Sequence, residues 1–379
     1  MGPSNEFDFI VVGAGMAGAS AAAWLSREGR VAVVEAEQHA GVHSTGRSAA
    51  LFSELYGNPV IRALTRASRS FFFAPPPGFA SVPLVIPRDT FYFARPDQMD
   101  ALEAFRAKPD IAAATRTLSV AQAQARLPVF KPGYLGGAVV ESGSADIDVD
   151  ALHQGFLRQA RANGAVVSFG DGIESMQRVD RQWQVDTKSA TLRAPVVVNA
   201  AGAWGDEIAR LAGVSPVGLQ PRRRTALLID VPEAHAATAA SWPAAIDIDE
   251  QFYFKPDAGL LLLSPADEHL CPPCDVQPEE LDVAIAIDRF EQATDTSVRR
   301  VRRRWAGLRV FAPDRTPVVG FDPAAPGFFW LVGQGGYGIQ TAPALGRVAA
   351  LLAAGRPLPD DVCDQGLTPA LLSKSRFLA

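Results

Sequence analysis

Apolar positions along the chain form two kinds of run. Segments 7–12 and 31–35 are short, continuous and β-branched, as expected of parallel strands buried on both faces. Between them, 16–27 is alanine-rich and free of proline, which predicts a helix that Gly29 can end. This is a βαβ unit. The same kind of buried strand recurs at 165–169, 193–199 and 328–332, with helices predicted over 150–163 and 341–354. In between the pattern changes. Segments 81–93, 136–141, 222–229, 251–255 and 260–264 read as strands between turn signals, and 278–294 carries apolar residues at helical spacing. The expected fold is therefore α/β. A Rossmann-like nucleotide-binding domain is assembled from discontinuous segments (1–80, 146–218 and 318–379). An α+β substrate domain with a mainly antiparallel sheet (81–145 and 219–317) is inserted into it.

Composition narrows the function. The chain has 379 residues, enough for a full core in more than one domain. Its 36 basic and 41 acidic residues leave a net charge of −5, which argues against a general nucleic-acid binder. The basic cluster Arg299, Arg300, Arg302, Arg303 and Arg304 is isolated in this acidic chain and is expected to be a solvated face. The uncharged stretch 9–25 follows Glu6 and Asp8 and contains three glycines, so neither a signal peptide nor a membrane span is expected. Three cysteines cannot build a disulfide framework. A cytoplasmic location is expected, with contact at the inner face of the membrane left open. Cys271 and Cys274 have C-x-x-C spacing, but only His269 lies near them and no second pair exists, so no metal site is expected. The stretch Asp146-Ile147-Asp148 is expected to cap the helix that follows it.

The chemistry-bearing motif is Gly13-Ala14-Gly15-Met16-Ala17-Gly18, which fits G-x-G-x-x-G between a strand and a helix. Glu35, with Ala36 after it, closes the next strand twenty residues beyond Gly15. Gly13 makes the tight turn, Gly15 admits a pyrophosphate and Gly18 lets helix and strand pack. The helix N-terminus supplies donors for phosphate. Glu35 suits ribose hydroxyls and opposes a 2′-phosphate. The fingerprint alone does not separate FAD from NAD. Two distant turns favour the longer FAD: Ala200-Ala201-Gly202-Ala203-Trp204 after a strand, and Gly333 to Gly338 before the last helix. A helix N-terminus there suits the anionic edge of a reduced flavin.

At these residues the chain resembles the FAD-dependent D-amino-acid oxidase/dehydrogenase superfamily. The stretches 43–50, Tyr56-Gly57, 62–72, 305–309 and 335–341 resemble its bacterial D-arginine dehydrogenases. The resemblance implies that Ser44, Thr45, Arg47, Ser48, Ala49 and Ala50 line the flavin. Ile173, Ala200, Gly202 and Trp204 would join them, as would Gly335, Gly336, Tyr337, Gly338, Ile339 and Gln340. Tyr56 and Tyr253 would flank the substrate, and Ser53 and Gln340 would sit near it. Arg224 and Arg309 would hold its carboxylate, with Arg309 also touching the cofactor, and the Gly336 carbonyl would accept from its amine. The D-arginine-specific member has a carboxylate where Thr90 aligns and a histidine where Leu51 aligns. Leu51 and Thr90 are therefore expected to form a side-chain pocket for neutral, apolar residues.

The residues themselves are compatible with these roles. Arginine is the natural bidentate partner of a carboxylate. Alternation in a strand puts at most two of Arg222, Arg223 and Arg224 on one side, and points Tyr253 away from Phe252 and Phe254. Residues 305–308 look like a turn leading to Arg309. The expected activity is FAD-dependent oxidative deamination of a D-amino acid: hydride leaves Cα for flavin N5, and the imino acid hydrolyses to a 2-oxo acid and ammonia. The alternatives are an FAD oxidase of secondary amines or 2-hydroxy acids on the same scaffold, and a binding module without turnover. The electron acceptor, quinone or other, is not encoded in any motif.

Overall fold

Two large sheets position everything else in the computed structural model, which describes residues 5–378. Residues 1–4 and 379, the outer ends of the expected nucleotide-binding segments, lie outside the described residues. The first sheet has six strands in the order Val318–Phe321, Phe328–Val332, Val196–Asn199, Phe9–Val12, Val31–Val34 and Val166–Ser168. All neighbours are parallel except the first two. Phe9–Val12, Val31–Val34 and Phe328–Val332 are buried at every position, because the sheet is covered on both faces. One face packs on the helices Met16–Leu25, Val149–Ala162 and Gly338–Ala353. The other packs on a three-stranded antiparallel sheet spanning residues 173–194, through Trp183, Val185 and Leu192.

The second sheet has nine strands, antiparallel except for the pair Ala244–Asp247 and Thr90–Ala94. Its long central pair is Gln220–Ile229 against Val301–Phe311. One face carries Phe91, Phe93, Phe252, Phe254 and Leu263 into a core closed by the helix Glu280–Ala293. The opposite face is turned toward the end of the parallel sheet, and the site lies there.

Several element boundaries differ from the sequence pattern for identifiable reasons. Segment 81–93 is two strands, Val85–Pro87 and Thr90–Ala94, in different sheets; Pro87 cannot donate to a ladder, and Arg88 N–H instead reaches Ser144 O. Segment 193–199 splits at Pro195 into Thr191–Ala194 and Val196–Asn199. The last helix starts at Gly338, ahead of the expected 341. Residues 305–308 are not a turn but the middle of an eleven-residue strand. Arg302 and Arg304 are exposed and pair with Asp230 and Glu280, as a solvated face would. Of the two aspartates in 146–148, Asp148 caps the helix, accepting from Ala151 N–H at 2.8 Å, while Asp146 pairs with Arg88 and Lys255.

Candidate active site

The strand Phe9–Val12 ends in a turn that only glycine fits well. Gly13 has φ +97°, and a Cβ there would lie 2.8 Å from Ala200 O. The first glycine turn is thus seated directly on the second. The helix Met16–Leu25 has no acidic residue in its first turn and no capping bond from its own N-cap, Gly15. The helix Gly338–Ala353 likewise starts with no side-chain cap and no acid. Both N-termini retain positive dipole ends beside one cavity.

Loop 41–50 closes that cavity and is tied down at several points. Thr45 Oγ1 accepts from Met16 N–H at 3.0 Å, and Ser44 Oγ donates to Leu308 O at 2.6 Å. Arg47 donates to Val276 O and Ala306 O and pairs with Asp275. Trp305 Nε1 donates to Arg47 O at 3.0 Å. His153, which the sequence pattern did not single out, donates from Nε2 to Ala14 O at 2.8 Å and so braces the first turn.

The cavity has a volume of about 440 Å³. Glu35, Ala36 and Ile173 line it, joined by Asp171 and Gly172, which no motif announced. Gly13, Gly15, Met16, Ala17, Thr45, Ala200, Gly202 and Trp204 line its walls. Ser44, Arg47, Ser48, Ala49, Gly335, Gly336, Gly338 and Ile339 also line it, with Arg224, Tyr253 and Arg309. The Glu35 carboxylate accepts from Ala14 N–H at 2.7 Å and from Glu37 N–H at 3.0 Å. A smaller cavity of about 90 Å³ shares Ser48, Ala49, Arg224, Tyr253, Arg309 and Gly336 with it and adds Ala50, Leu51 and Tyr56.

Arg309 stands at the junction of the two cavities. Nη1 donates to the Tyr56 hydroxyl at 2.9 Å, and among the described residues the guanidinium makes no ion pair. Pairing of Arg222 with Arg309 puts Arg222, Arg224 and Arg309 on one face, and of the first two only Arg224 lines the cavity. Arg223 points the other way and binds Glu279 and Asp282. Arg224 is braced by Asp267 O at 2.8 Å and Glu268 at 3.2 Å. Burial alone would raise the Tyr253 phenol, but the Arg309 and Arg224 cations outweigh it and hold it below its ordinary value.

Not every expected residue reaches a cavity wall. Gly18 packs against Gly13, where a Cβ would come within 1.9 Å of its carbonyl oxygen. Tyr337 stacks edge-on against Tyr56 at 4.8 Å, behind the lining. Thr90 is fully buried, its hydroxyl donating to Ser144 Oγ at 2.9 Å, and does not line the pocket with Leu51. Ser53 and Gln340 are buried behind the site and joined to each other, with Gln340 Oε1 accepting from Ser53 N–H at 3.3 Å.

That buried layer includes a carboxylate the sequence pattern missed. Glu141 accepts from Ser53 Oγ at 2.6 Å and Glu54 N–H at 2.8 Å, so it fixes the backbone just before Tyr56. Burial pushes its carboxyl up to about 7. The folded protein therefore holds a proton that the unfolded chain has released above the ordinary glutamate value of 4.5. Stability should fall as pH rises from about 4.5 to about 7, by about 3 kcal/mol from this group, and then level off. In melts at pH 5 and pH 8, Glu141→Gln should narrow the difference; an unchanged difference would show that Glu141 ionises normally.

A glycine turn and two helix N-termini beside one cavity, with Arg224 and Arg309 in its lining, define a dinucleotide-dependent oxidoreductase. More narrowly, the chain belongs to the FAD dependent oxidoreductase (DAO) family, whose sequence profile matches residues 8–352. It is 28% identical over 255 residues to the uncharacterised oxidoreductase YurR of Bacillus subtilis, covering 65% of each chain. It is 26% identical over 299 residues to a D-amino acid dehydrogenase of Cereibacter sphaeroides, covering 71% of this chain and 64% of that one. The chain thus spans just under two thirds of the length of both relatives. The crystal structure of glycine oxidase from Geobacillus kaustophilus superposes with a TM-score of 0.79 at 19% identity, over 93% of this chain and 96% of that one.

The cofactor of the protein is FAD. The residues present fit it. The two dipole ends and the Glu35 carboxylate beside one cavity match a doubly phosphorylated ligand with a ribose diol. Among the described residues no helix is long and apolar enough to cross a membrane.

Proposed function

We propose that the protein catalyses the oxidative deamination of D-amino acids. The observation that carries this is the Arg309 guanidinium, which lines both cavities, donates to Tyr56 and, among the described residues, makes no ion pair. A cation in such a place costs free energy until an anion reaches it, and a substrate carboxylate supplies one. The D configuration is supported by the resemblance of loop 43–50 and of residues 305–309 to D-arginine dehydrogenases.

In this scheme FAD, held by the glycine turns and loop 41–50, supplies the two-electron oxidant. Arg309 and Arg224 grip the carboxylate, which fixes the substrate at two points and sets which face of Cα is presented. Tyr56 orients Arg309 and closes the substrate end. The Gly336 carbonyl accepts from the amine. A Cβ at position 336 would fall 2.7 Å from Arg309 Cζ, so the backbone there lies close against the clamp. Tyr253, its phenol lowered by the two arginines, is the titratable side chain best suited to exchange the amine proton. Leu51 and the buried Thr90 offer no carboxylate to a guanidinium tail, so D-arginine should be a poor substrate.

A second reading, oxidation of secondary amines or 2-hydroxy acids, needs the same carboxylate clamp. Product analysis separates them. Incubation with D-amino acids should release a 2-oxo acid and ammonia in equal amounts, while sarcosine and D-2-hydroxy acids should give slow turnover. Faster turnover of either alternative would overturn the proposal.

A further inference from the structure

The smaller cavity has a charged end. Lys255 follows Tyr253 by two on the strand Tyr253–Asp257, so both leave the same face of the sheet while Phe254 enters the core on the other. Lys255 is buried, at 6% exposure, and lines the cavity together with Ala49, Ala50, Leu51 and Ala244. Its ammonium donates to Asp146 Oδ1 at 2.6 Å. The other oxygen of Asp146 takes Arg88 Nε. One carboxylate therefore serves two cations, the buried Lys255 and the half-buried Arg88, and the group as a whole keeps a positive charge. An ammonium carries three donors, and Asp146 is the one hydrogen-bond partner of Lys255 among the described residues.

Two other acids stand near. Glu250 lines the same cavity but is exposed, and its electrostatic partners are Tyr92 and Tyr337; solvent screens it. Glu141 pairs across the sheet with Thr90, next to Ala244, and its oxygens are held by Ser53 and Glu54. Neither neutralises Lys255. The cavity is thus lined by Arg309 and Arg224, by short alanine side chains and by Lys255.

We propose that Lys255 makes this a site for amino dicarboxylic acids, 2-amino acids whose short side chain ends in a carboxylate, an inference that rests on the amino-acid reading above. The apolar preference expected from Leu51 and Thr90 gives way to an acidic one. The arginines take the C1 carboxylate, the side chain passes Ala49 and Ala244, and its terminal carboxylate accepts from Lys255 Nζ.

The test compares kcat/KM of the holoenzyme for D-glutamate and D-aspartate with the near-isosteric D-glutamine and D-asparagine. The acids should be preferred about tenfold or more, as a charge-assisted bond in a buried site implies. Lys255→Met should erase that preference, with the loss for the acids falling on KM, and Lys255→Arg should retain part of it. Titration of the flavin absorbance gives a readout without turnover: glutarate should bind the holoenzyme about tenfold more tightly than butyrate. Equal kcat/KM for acids and amides in the wild-type enzyme, or a preference that survives Lys255→Met, overturns the role of Lys255 alone. Flavin that no 2-amino acid reduces overturns the broader reading with it.

Discussion

Arg309→Met is expected to lower kcat/KM for the best amino-acid substrate by about 30- to 5,000-fold while leaving the bound flavin in place. The range follows from about 2–5 kcal/mol for removing one partner of a buried, hydrogen-bonded charge pair. Most of the loss should fall on KM, because the guanidinium grips the substrate before and during the reaction alike. The substitution has a second signature. Arg309 is the largest charge lowering the Tyr253 phenol, against the opposing push of burial. Without it the alkaline limb set by Tyr253 should move upward in the pH profile of kcat. A variant with near wild-type KM would remove the clamp from the account.

The second large effect lies at the other end of the cofactor site. Gly18→Ala should yield protein without flavin, or no folded protein. A Cβ at 18 would come within 1.9 Å of Gly13 O and 3.3 Å of Val11 Cγ1, and the first of these is backbone that cannot swing aside. The turn would have to open, and with it the seat of Gly13 against Ala200. Gly15→Ala is the informative contrast. Its φ is −68°, open to any residue, and its nearest neighbour would be Thr45 Oγ1 at 3.5 Å. That variant should fold and melt normally but bind FAD more weakly, since its Cβ faces the cavity. Equal flavin content in both variants would mean that the turn does not carry the cofactor.

Much of the parallel sheet was legible because its strands are buried on both faces and carry no polar interruption, as in Phe9–Val12 and Phe328–Val332. The glycine turns were legible for the same local reason: backbone geometry there is set within a few residues. The placing of Arg224 and Arg309 at the cavity was reached chiefly through resemblance. Periodicity alone read 305–308 as a turn, whereas pairing with Gln220–Ile229 draws those residues into a long strand. Long-range pairing of that kind leaves no mark in a local pattern. Thr90 fails as a pocket residue because its hydroxyl finds Ser144, 54 positions away. Glu141 ends an apolar run and gives no sign that Ser53 and Glu54 wait for it. Lys255 was within reach: strand alternation that turned Tyr253 to the cavity turns Lys255 with it, but a lysine in a strand does not suggest burial until its partner Asp146 is seen.

The central claim is that a carboxylate gripped by Arg309 and Arg224 places an amino acid against FAD in the larger cavity. Anaerobic mixing of the holoenzyme with the two enantiomers of a single amino acid, followed at the flavin absorbance, tests it most directly. The D enantiomer should bleach the flavin within the time of turnover and the L enantiomer should leave it oxidised. Bleaching by the L enantiomer, or by neither across a panel of amino acids, would contradict it.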